Sequence, residues 1–444
     1  NTWSTLAPPT NTAGEGDAGS VILAGTEKWM VQDPLTTSVA ILDPNHQCLE
    51  TPGYWTSVTP AGKADNNDEE PWVLLRDLTV LTVDAENGTN SERYFPGSQS
   101  WQTAGSTKSA LADANSAEVG PAVLRPNATV FATGACQSTG STSNGLPCNP
   151  GTTGETAIFT MNPNLSTGGS WSKGPNFPGS GATGLDIADG PGAVLPNGNV
   201  LVFASPGIYE TGGQFLEFDG THLTETVNIP NAPNDSSYYG SMLVLPTGQI
   251  WFTDGSQDVE IFTPSSADQA YQSSWQPTIA TLELENPNGS GTPTSTLSLC
   301  TQQANSAGIT YILTGTRLNG MTQGAYYGDD EQMATNYPLV QITDSTGAVS
   351  YCRTHNHSFM GVASAQTVTT YFDVGGSSPG NCQPATGAAT LKVLVNGIPS
   401  AGFPVTIGAG GTCPVISCNP CTCPCPTCPR VQRTPAEDAA LAAY

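Results

Sequence analysis

Charged residues are scarce in this chain of 444 residues, where they make up 11% of the total, against about 25% in typical soluble proteins. Basic residues are the scarcest, since 12 Lys and Arg stand against 37 Asp and Glu, for a formal net charge of −25. No basic patch of useful size can be built, so neither nucleic acid nor an anionic membrane surface is expected as a partner. No apolar run reaches the roughly 18–20 residues of a membrane span.

Helical periodicity and the common catalytic motifs are also missing. No long amphipathic helical period occurs before residue 430, and the chain has no Gly-x-Ser-x-Gly elbow, phosphate loop or dinucleotide fingerprint. Instead, 49 Gly and 36 Pro, together with many Thr, Ser and Asn, separate short apolar runs. This composition is typical of an all-β protein rich in turns. At this length, two or more domains are expected.

An apolar strand, a Pro-Asn-Gly-like turn and a second apolar strand recur through the first 275 residues. Clear copies are Ala193-Val-Leu-Pro-Asn-Gly-Asn-Val-Leu-Val-Phe203 and Met242-Leu-Val-Leu-Pro-Thr-Gly-Gln-Ile-Trp-Phe252. A marker residue, Trp in all but one case, follows each copy: Trp3, Trp55, Trp101, Trp171, His222 (in place of Trp) and Trp275. Successive markers are 52, 46, 70, 51 and 53 residues apart. A period of about 40–50 residues with several strands per unit is typical of propeller blades. The sequence therefore predicts a β-propeller over residues 1–276, with five clear blades and room for six or more.

The blade period stops at about residue 277, and strands with alternating polarity follow. Examples are Ile309-Thr-Tyr-Ile-Leu-Thr-Gly315 and Ala389-Thr-Leu-Lys-Val-Leu-Val395. Their spacing and turn signals predict an immunoglobulin-like β-sandwich over residues 277–408. Residues 409–444 are predicted to be an extended Cys/Pro-rich tail with a short terminal helix that begins at Thr434.

The tail holds six of the 12 cysteines within 16 positions: Cys413, Cys418, Cys421, Cys423, Cys425 and Cys428. The interleaved prolines disfavour both helix and central strand. Closely spaced cysteines rarely bond to each other because the short link strains the bridge, so distant partners or another chain are expected. A zinc–thiolate cluster is the alternative. The tail is accordingly predicted to link copies of the chain into a homo-oligomer or fibre.

Cysteine usage and sequons favour an oxidising, extracellular or cell-surface location. The cysteine count is even, and Cys136 and Cys148 bracket a small Gly/Ser loop, which predicts a local disulfide. The pairing of four others is left open: Cys48, Cys300, Cys352 and Cys382. A start at Asn1 is what a mature chain is expected to have after removal of a signal peptide. Six sequons are candidates for glycosylation: Asn87, Asn127, Asn164, Asn234, Asn288 and Asn356.

Several C-terminal segments resemble the C-terminal domain of the galactose oxidase family. They include Tyr326-Tyr-Gly-Asp-Asp-Glu-Gln-Met-Ala-Thr-Asn-Tyr-Pro-Leu-Val340, Thr354-His-Asn-His-Ser-Phe-Met360 and Val395-Asn-Gly-Ile-Pro-Ser400. With the Kelch-like blades before it, the resemblance covers most of residues 1–408. It implies an oxidase in which two histidines and two tyrosines hold copper, one tyrosine being cross-linked to a cysteine and oxidisable to a radical.

The chain departs from that pattern at the copper ligands. Tyr238 fits the axial tyrosine, but Tyr239 stands where the family has a histidine, and Phe159 stands where the radical tyrosine is expected. Either His355 or His357 matches one family histidine. Copper is therefore not expected, and His355, His357 and Tyr238 are kept only as the remnant of a metal site. For the two histidines, a hydrogen-bonded pair on one strand face and a divalent-metal site are both considered.

Acidic loops supply the remaining candidates. Asp65–Glu70 and Asp329–Glu331 are rich in oxygen ligands and are candidates for structural calcium, while Asp186 and Asp189 are interpreted as carboxylates of blade turns. Taken together, the sequence predicts a secreted, non-catalytic structural or adhesive protein that self-assembles through its tail. The alternatives are a diverged copper radical oxidase or other glycan-active enzyme, and an extracellular carbohydrate-binding propeller that has glycans as partners.

Overall fold

The computed structural model describes residues 8–9, 19–23, 28–43, 55–140, 146–162, 168–264, 272–285, 294–301, 308–327, 331–333, 337–362, 365–376 and 380–408. The tail, Cys48, Asn164, Asn288, Asp329 and Asp330 lie outside these residues. The described part is all-β, as predicted, with 31 strands and no α-helix. Its helical turns are four 3-10 segments: η1 (Gly181–Thr183), η2 (Ala232–Asn234), η3 (Ser237–Tyr239) and η4 (Ser273–Trp275). None of the helices in these ranges is long and apolar enough to cross a membrane.

The described residues form two compact units. The first, called the propeller unit, consists of those between 8 and 23, 28 and 271, and 321 and 335. The second, called the sandwich unit, consists of those between 272 and 320 and between 336 and 408. Each unit has its own sheets and its own buried apolar residues.

Five small antiparallel sheets follow one another along the propeller unit. The first contains β1 (Ser20–Leu23), β2 (Lys28–Gln32), β3 (Val39–Leu42) and β4 (Trp55–Val58), and the second β5 (Val73–Leu74), β6 (Val80–Val83), β7 (Ser91–Phe95) and β8 (Ser100–Thr103). The third contains β9 (Val119–Leu124), β10 (Thr129–Gly134), β11 (Thr156–Met161) and β12 (Gly169–Lys173). The fourth contains β13 (Gly192–Val194), β14 (Val200–Ala204), β15 (Gln214–Phe218) and β16 (Leu223–Glu225), and the fifth β17 (Ser241–Val244), β18 (Ile250–Thr253) and β19 (Glu260–Phe262). The first strands of successive sheets are neighbours in space, which is the blade arrangement that the repeat predicted.

One hairpin geometry joins the first two strands of four of the five sheets. The Leu195 N–H donates to the Asn199 carbonyl at 2.8 Å, and the Leu245 N–H donates to the Gln249 carbonyl at the same distance of 2.8 Å. Gly198 and Gly248 take φ values of 88° and 82°, in the left-handed region that favours glycine. This requirement explains the Pro-Asn-Gly-like motif of the repeat.

The recurrent tryptophans lie on the outermost strands of the blades. Trp55, Trp101 and Trp171 belong to β4, β8 and β12. Their rings pack on aromatic residues further in, for example Trp171 on Phe159 with ring centroids 5.2 Å apart. Trp275 instead lies in η4, in the sandwich unit. The period of the markers therefore reports where each blade ends, except at the last one.

The fourth sheet is packed on both faces. One face, with Val200, Val202 and Phe218, joins the core that contains Phe131 of the third sheet. The opposite face, which includes Leu201, Phe203 and Phe215, joins the core that contains Met242, Val244, Ile250 and Phe252 of the fifth sheet. Burial of this apolar surface is the main force that stacks successive blades.

The strands from residue 272 onward are β20 (Thr278–Leu284), β21 (Thr294–Ser295), β22 (Ser298–Cys300), β23 (Ile309–Thr316), β24 (Gln323–Tyr327), β25 (Glu331–Met333), β26 (Leu339–Thr343), β27 (Val349–His355), β28 (Thr367–Val374), β29 (Gly387–Val395), β30 (Ile398–Pro399) and β31 (Phe403–Gly408). All but β24 and β25 form one ten-stranded sheet, in the order β21-β20-β23-β28-β27-β26-β29-β31-β22, with β30 beside β29. Every second residue of β28 is buried, from Val368 to Val374. This alternation indicates one core-facing side, as the predicted sandwich requires.

The hairpin β24–β25 belongs to the propeller unit. β24 pairs antiparallel with β13, with Gly192 opposite Ala325 and Val194 opposite Gln323. It also lies beside β9 and β17, and β25 lies beside β1. The sequence placed this segment in the C-terminal sandwich, but its backbone hydrogen bonds go to the propeller unit. The physical reason is that β13 is the first strand of its sheet, and the hairpin covers its otherwise exposed edge.

Candidate functional site

The two predicted remnant histidines lie in the sandwich unit and have separate partners. His355 ends β27, and its Nε2 is 3.3 Å from Asp373 Oδ2. His357 is fully buried, and its Nδ1 is 2.9 Å from the Thr370 hydroxyl. Burial, and after it the neighbouring His355 and Arg353 side chains, lower the pKa of His357 to about 3. Within the described ranges, neither ring belongs to a close group of three or more acidic, cysteine or histidine ligands.

The tyrosine candidates lie in the propeller unit, directly before β17. Tyr238 is in η3, with its ring centroid 4.2 Å from that of Tyr239 and 5.0 Å from that of Tyr209. A hydrogen bond with Tyr239 and partial burial raise the pKa of Tyr238 to about 12. Phe159 lies elsewhere, fully buried inside the third blade against Trp171. Phe159 therefore acts as a core residue of that blade.

A group of carboxylates and tyrosines gathers where the inner strands of three blades begin. Oxygens of Glu69, Glu118 and Asp189 lie within 4.8 Å of one another, each shortly before β5, β9 or β13. The Tyr209 hydroxyl hydrogen-bonds to Glu118 and lies 3.0 Å from Asp189 Oδ2. Burial and these two charges raise the pKa of Tyr209. With Tyr238 added, these residues are called the tyrosine–carboxylate cluster.

The backbone of this cluster is unusual. Glu69, Asp189 and Tyr209 have φ values of 57°, 55° and 59°. Residues other than glycine rarely adopt this left-handed conformation, and it is frequent at functional sites. Of the cluster members, the sequence singled out Asp189 and Tyr238 by themselves, and Glu69 only as part of the acidic loop.

A second buried group surrounds Lys63 and is called the Lys63 cluster. The Lys63 ammonium is 2.7 Å from Asp65 Oδ1, 2.7 Å from Glu70 Oε1 and 3.1 Å from Glu92 Oε2. Asp84 is the fifth member, and its carboxylate lies within 4.8 Å of the ligand atoms of Asp65 and Glu92. The side chain of Lys63 is 0% exposed. The predicted acidic loop, residues 65–70, therefore folds around a buried lysine.

Charge within the Lys63 cluster is unbalanced, since four carboxylates share one ammonium. Burial alone would lower the pKa of Lys63, but the charges of Glu70 and Asp65 outweigh it and hold that pKa above its ordinary value. Burial raises the pKa of Glu70 well above its ordinary value and that of Asp84 to about 7. Lys63 is thus held in its charged form, while Glu70 and Asp84 resist ionisation.

The predicted disulfide between Cys136 and Cys148 is formed. Asp186 Oδ2 accepts the Cys136 backbone N–H at 2.8 Å, and burial raises the pKa of Asp186 to about 7. Both sulfurs are committed to the disulfide, so this group is structural. A second disulfide joins Cys352 and Cys382, and Cys300 is disulfide-bonded as well.

Four of the six sequons lie among the described residues. Asn87, Asn127 and Asn234 are exposed, so a glycan attached there meets no steric obstacle from the core. Asn356 is half-buried, at a φ of 50°, between the two histidines. The first three are therefore the better placed for modification.

The sequence missed half of the ten members of the two clusters. Lys63, Asp84 and Glu92, like Glu118 and Tyr209, come from different turns and strands and share no motif. The one available signal was a lysine two residues from an acidic loop in a chain with only 12 Lys and Arg. Side chains that meet through tertiary folding leave no fixed spacing in the sequence.

No protein-family model matches the chain, and no curated protein sequence matches it. Solved structures to which it is similar include a fungal alcohol oxidase of the AA5 family in complex with copper, at 12% identity and a TM-score of 0.34, covering 88% of this chain and 85% of the oxidase. Another is PorZ, a bacterial surface component of the type-IX secretion system of Porphyromonas gingivalis, at 12% identity and a TM-score of 0.37. The match covers 86% of this chain and 50% of PorZ, so this chain spans half the length of that protein. A streptogramin B lyase is similar at 8% identity and a TM-score of 0.35, covering 83% of this chain and 96% of the lyase.

Proposed function

We propose that this chain is a secreted, non-catalytic structural or adhesive protein that associates with copies of itself and keeps a galactose oxidase-like architecture without its copper chemistry. The observation that carries the proposal is a row of large apolar side chains on the fifth sheet. Leu243, Trp251 and Ile261 are cross-strand partners on β17, β18 and β19. They are 42%, 41% and 47% exposed. This set is called the apolar row.

The apolar row corresponds to a surface that serves as an interface elsewhere in the molecule. In the aligned hairpins, Leu243 and Trp251 occupy the places of Ala193 and Leu201 in the fourth sheet. Ala193 and Leu201 are fully buried and form part of the core shared with the fifth sheet. The fifth sheet thus presents a blade-stacking face with no blade against it among the described residues. A second copy of this chain is an occupant with matching chemistry.

The fifth sheet also offers an open edge. It has three strands in the described part of the chain, whereas the other four sheets have at least four, and β19 is its last strand. Open edges and aligned apolar side chains both favour association between chains. The formal net charge of −25 opposes it through long-range repulsion, which salt screens. Association through the row is therefore expected to strengthen as salt rises.

The cysteine-dense tail fits the same function. Its six cysteines lie outside the described residues, and the proposal assigns to them the covalent link between chains that meet through the apolar row. In an extended polyproline-like conformation, 16 residues span roughly 50 Å. That reach is sufficient to cross to a neighbouring subunit.

Sedimentation velocity on the full-length, oxidised protein tests the proposal. Oligomers are expected for the parent chain, and Leu243→Ser with Trp251→Ser is expected to shift the distribution towards monomer. The matched control is Leu35→Ser, because Leu35 is 65% exposed in a turn outside the row. Deleting residues 409–444 separates the contribution of the tail. A full-length chain that stays monomeric across salt concentrations contradicts self-association.

Carbohydrate binding at the tyrosine–carboxylate cluster is the second candidate function. Tyr239 is 45% exposed and lies against Tyr238, whose ring in turn packs on Tyr209. Exposed aromatic rings next to hydrogen-bonding carboxylates provide stacking and polar contacts for a sugar. Glycan-array binding that is lost in Tyr239→Ala and kept in Tyr351→Ala supports it, since Tyr351 is 54% exposed in the sandwich unit.

Peroxide release after copper loading, or glycan hydrolysis, overturns the non-catalytic function.

A further inference from the structure

The Lys63 cluster ties the loop before the second sheet to that sheet itself. Lys63, Asp65 and Glu70 come from the segment between β4 and β5, Asp84 directly follows β6, and Glu92 lies on β7. Two members already accept backbone N–H groups: Asp65 Oδ2 from Glu86 at 3.2 Å and Glu92 Oε1 from Ala64 at 3.0 Å. The carboxylates are thus held in place before any ligand is considered.

Asp84 is the member that these interactions leave unsatisfied. It is 1% exposed, and within the described part of the chain neither of its carboxylate oxygens has a hydrogen-bond partner. Its oxygens point into a group that already contains Asp65 and Glu92. A buried carboxylate without a donor is costly, and each like charge nearby raises that cost. A positive group beside Asp84, in addition to Lys63, would remove this cost.

We propose that Asp65, Asp84 and Glu92 form a binding site for a hard divalent cation, calcium foremost. The three side chains offer only oxygen ligands, which calcium prefers and which zinc and copper(I) do not. A divalent cation adds two positive charges to the four carboxylates and one ammonium, which leaves a single negative charge uncompensated. It takes its remaining ligands from the second carboxylate oxygens or from water.

The expected role of the cation is structural. It fastens the segment of residues 63–70 to β6 and β7, so the site forms only when the second blade is folded. A ligand that binds the folded state alone stabilises it by mass action. Calcium is therefore expected to raise the melting temperature in proportion to the logarithm of its concentration above the dissociation constant.

Terbium luminescence offers a direct probe, since Tb³⁺ replaces Ca²⁺ and is excited through nearby tryptophan. The Trp101 ring centroid is 5.6 Å from Lys63 Nζ, so this tryptophan lies next to the Lys63 cluster. After removal of divalent ions with a chelator, Tb³⁺ is expected to bind with a stoichiometry of one and to be displaced by Ca²⁺. Trp101→Phe is expected to weaken the luminescence and leave calcium binding, measured by calorimetry, unchanged.

Asp84→Asn is the decisive variant, because it keeps the side-chain shape and removes one ligand charge. A loss of at least about tenfold in calcium affinity is expected, together with loss of the calcium-dependent melting shift. Asp186→Asn is the matched control, since Asp186 is equally buried but lies beside the Cys136–Cys148 disulfide. Absence of Ca²⁺ and Tb³⁺ binding in the parent overturns the proposal. Equal affinity in Asp84→Asn, or weak binding of many ions to the acidic surface in both proteins, overturns it as well.

Discussion

The fourth and fifth sheets of the propeller unit begin with the same hairpin, yet their surroundings differ. Leu201 of the fourth sheet is 0% exposed, whereas Trp251, at the matching position of the fifth, is 41% exposed. Among the described residues, the fourth sheet has a neighbour on each face, and the fifth has a neighbour on one face. A blade repeat thus specifies the strands and their two apolar faces, but the neighbour decides whether a face becomes core or surface.

The largest contrast is expected between Phe203→Ala and Trp251→Ala. Phe203 is fully buried between Phe215 and Phe252, with ring centroids 4.7 Å and 5.0 Å away. Its truncation leaves a cavity between two blades and is expected to cost about 3–5 kcal/mol of unfolding free energy. Trp251→Ala is expected to cost less, on the order of 1 kcal/mol, because 41% of that residue is already exposed to water.

Chemical denaturation of the dilute, tail-deleted chain measures both changes. Dilution and deletion keep association from contributing to the stability of the parent. Comparable losses in the two variants would show that something covers the apolar row in solution, and the contrast between the two sheets would then fail.

A second prediction concerns the other neighbour of the fourth sheet. The loop closed by the Cys136–Cys148 disulfide contacts the connection between β14 and β15 of that sheet, through an isolated β-bridge between Leu146 and Ile208. Replacing both cysteines by serine is expected to lower the free energy of unfolding by about 2–3 kcal/mol. The disulfide restricts the unfolded chain, and a closed loop of this length accounts for a loss of conformational entropy of that size. Thermal unfolding under non-reducing conditions measures it. The parent treated with reductant is the less specific comparison, because it opens the Cys352–Cys382 disulfide too.

A smaller effect is expected from Asp186, beside the same disulfide. Its pKa is raised to about 7 from an ordinary value of 3.8 because the carboxyl is buried. Between those values the native state holds a proton that the unfolded state has lost, so stability falls as pH rises from about 4 to about 7. Asp186→Asn is expected to flatten this fall, because the amide does not titrate in that window.

Unfolding free energies of parent and variant at several pH values test this prediction. These measurements are made without calcium, so that the Lys63 cluster contributes equally to the stability of both proteins. Parallel pH profiles would contradict a buried, protonated Asp186 and would assign the fall to other carboxylates.

Much of the fold followed from local patterns. The Pro-Asn-Gly-like turns predicted the hairpins because their third position needs the φ of 88° seen at Gly198. The spacing of Trp55, Trp101 and Trp171 located the last strands of three blades, since one aromatic ring covers the end of each. The Cys136–Cys148 disulfide followed from a short intervening loop, which keeps the two cysteines close in any compact chain. These features depend on neighbours along the sequence.

Other features were decided by the tertiary structure alone. The alternating pattern of a strand such as β24 indicates which face is apolar, but not which open edge the strand will join. In the structure that edge is β13. The Lys63 cluster collects residues from two turns and a strand, and the exposure of Trp251 depends on the absence of a neighbouring blade in the described residues. Hydrogen-bonding edges and buried charges are satisfied by whichever groups the folded chain brings near. Sequence therefore determined the blades, and packing between distant segments determined the sites.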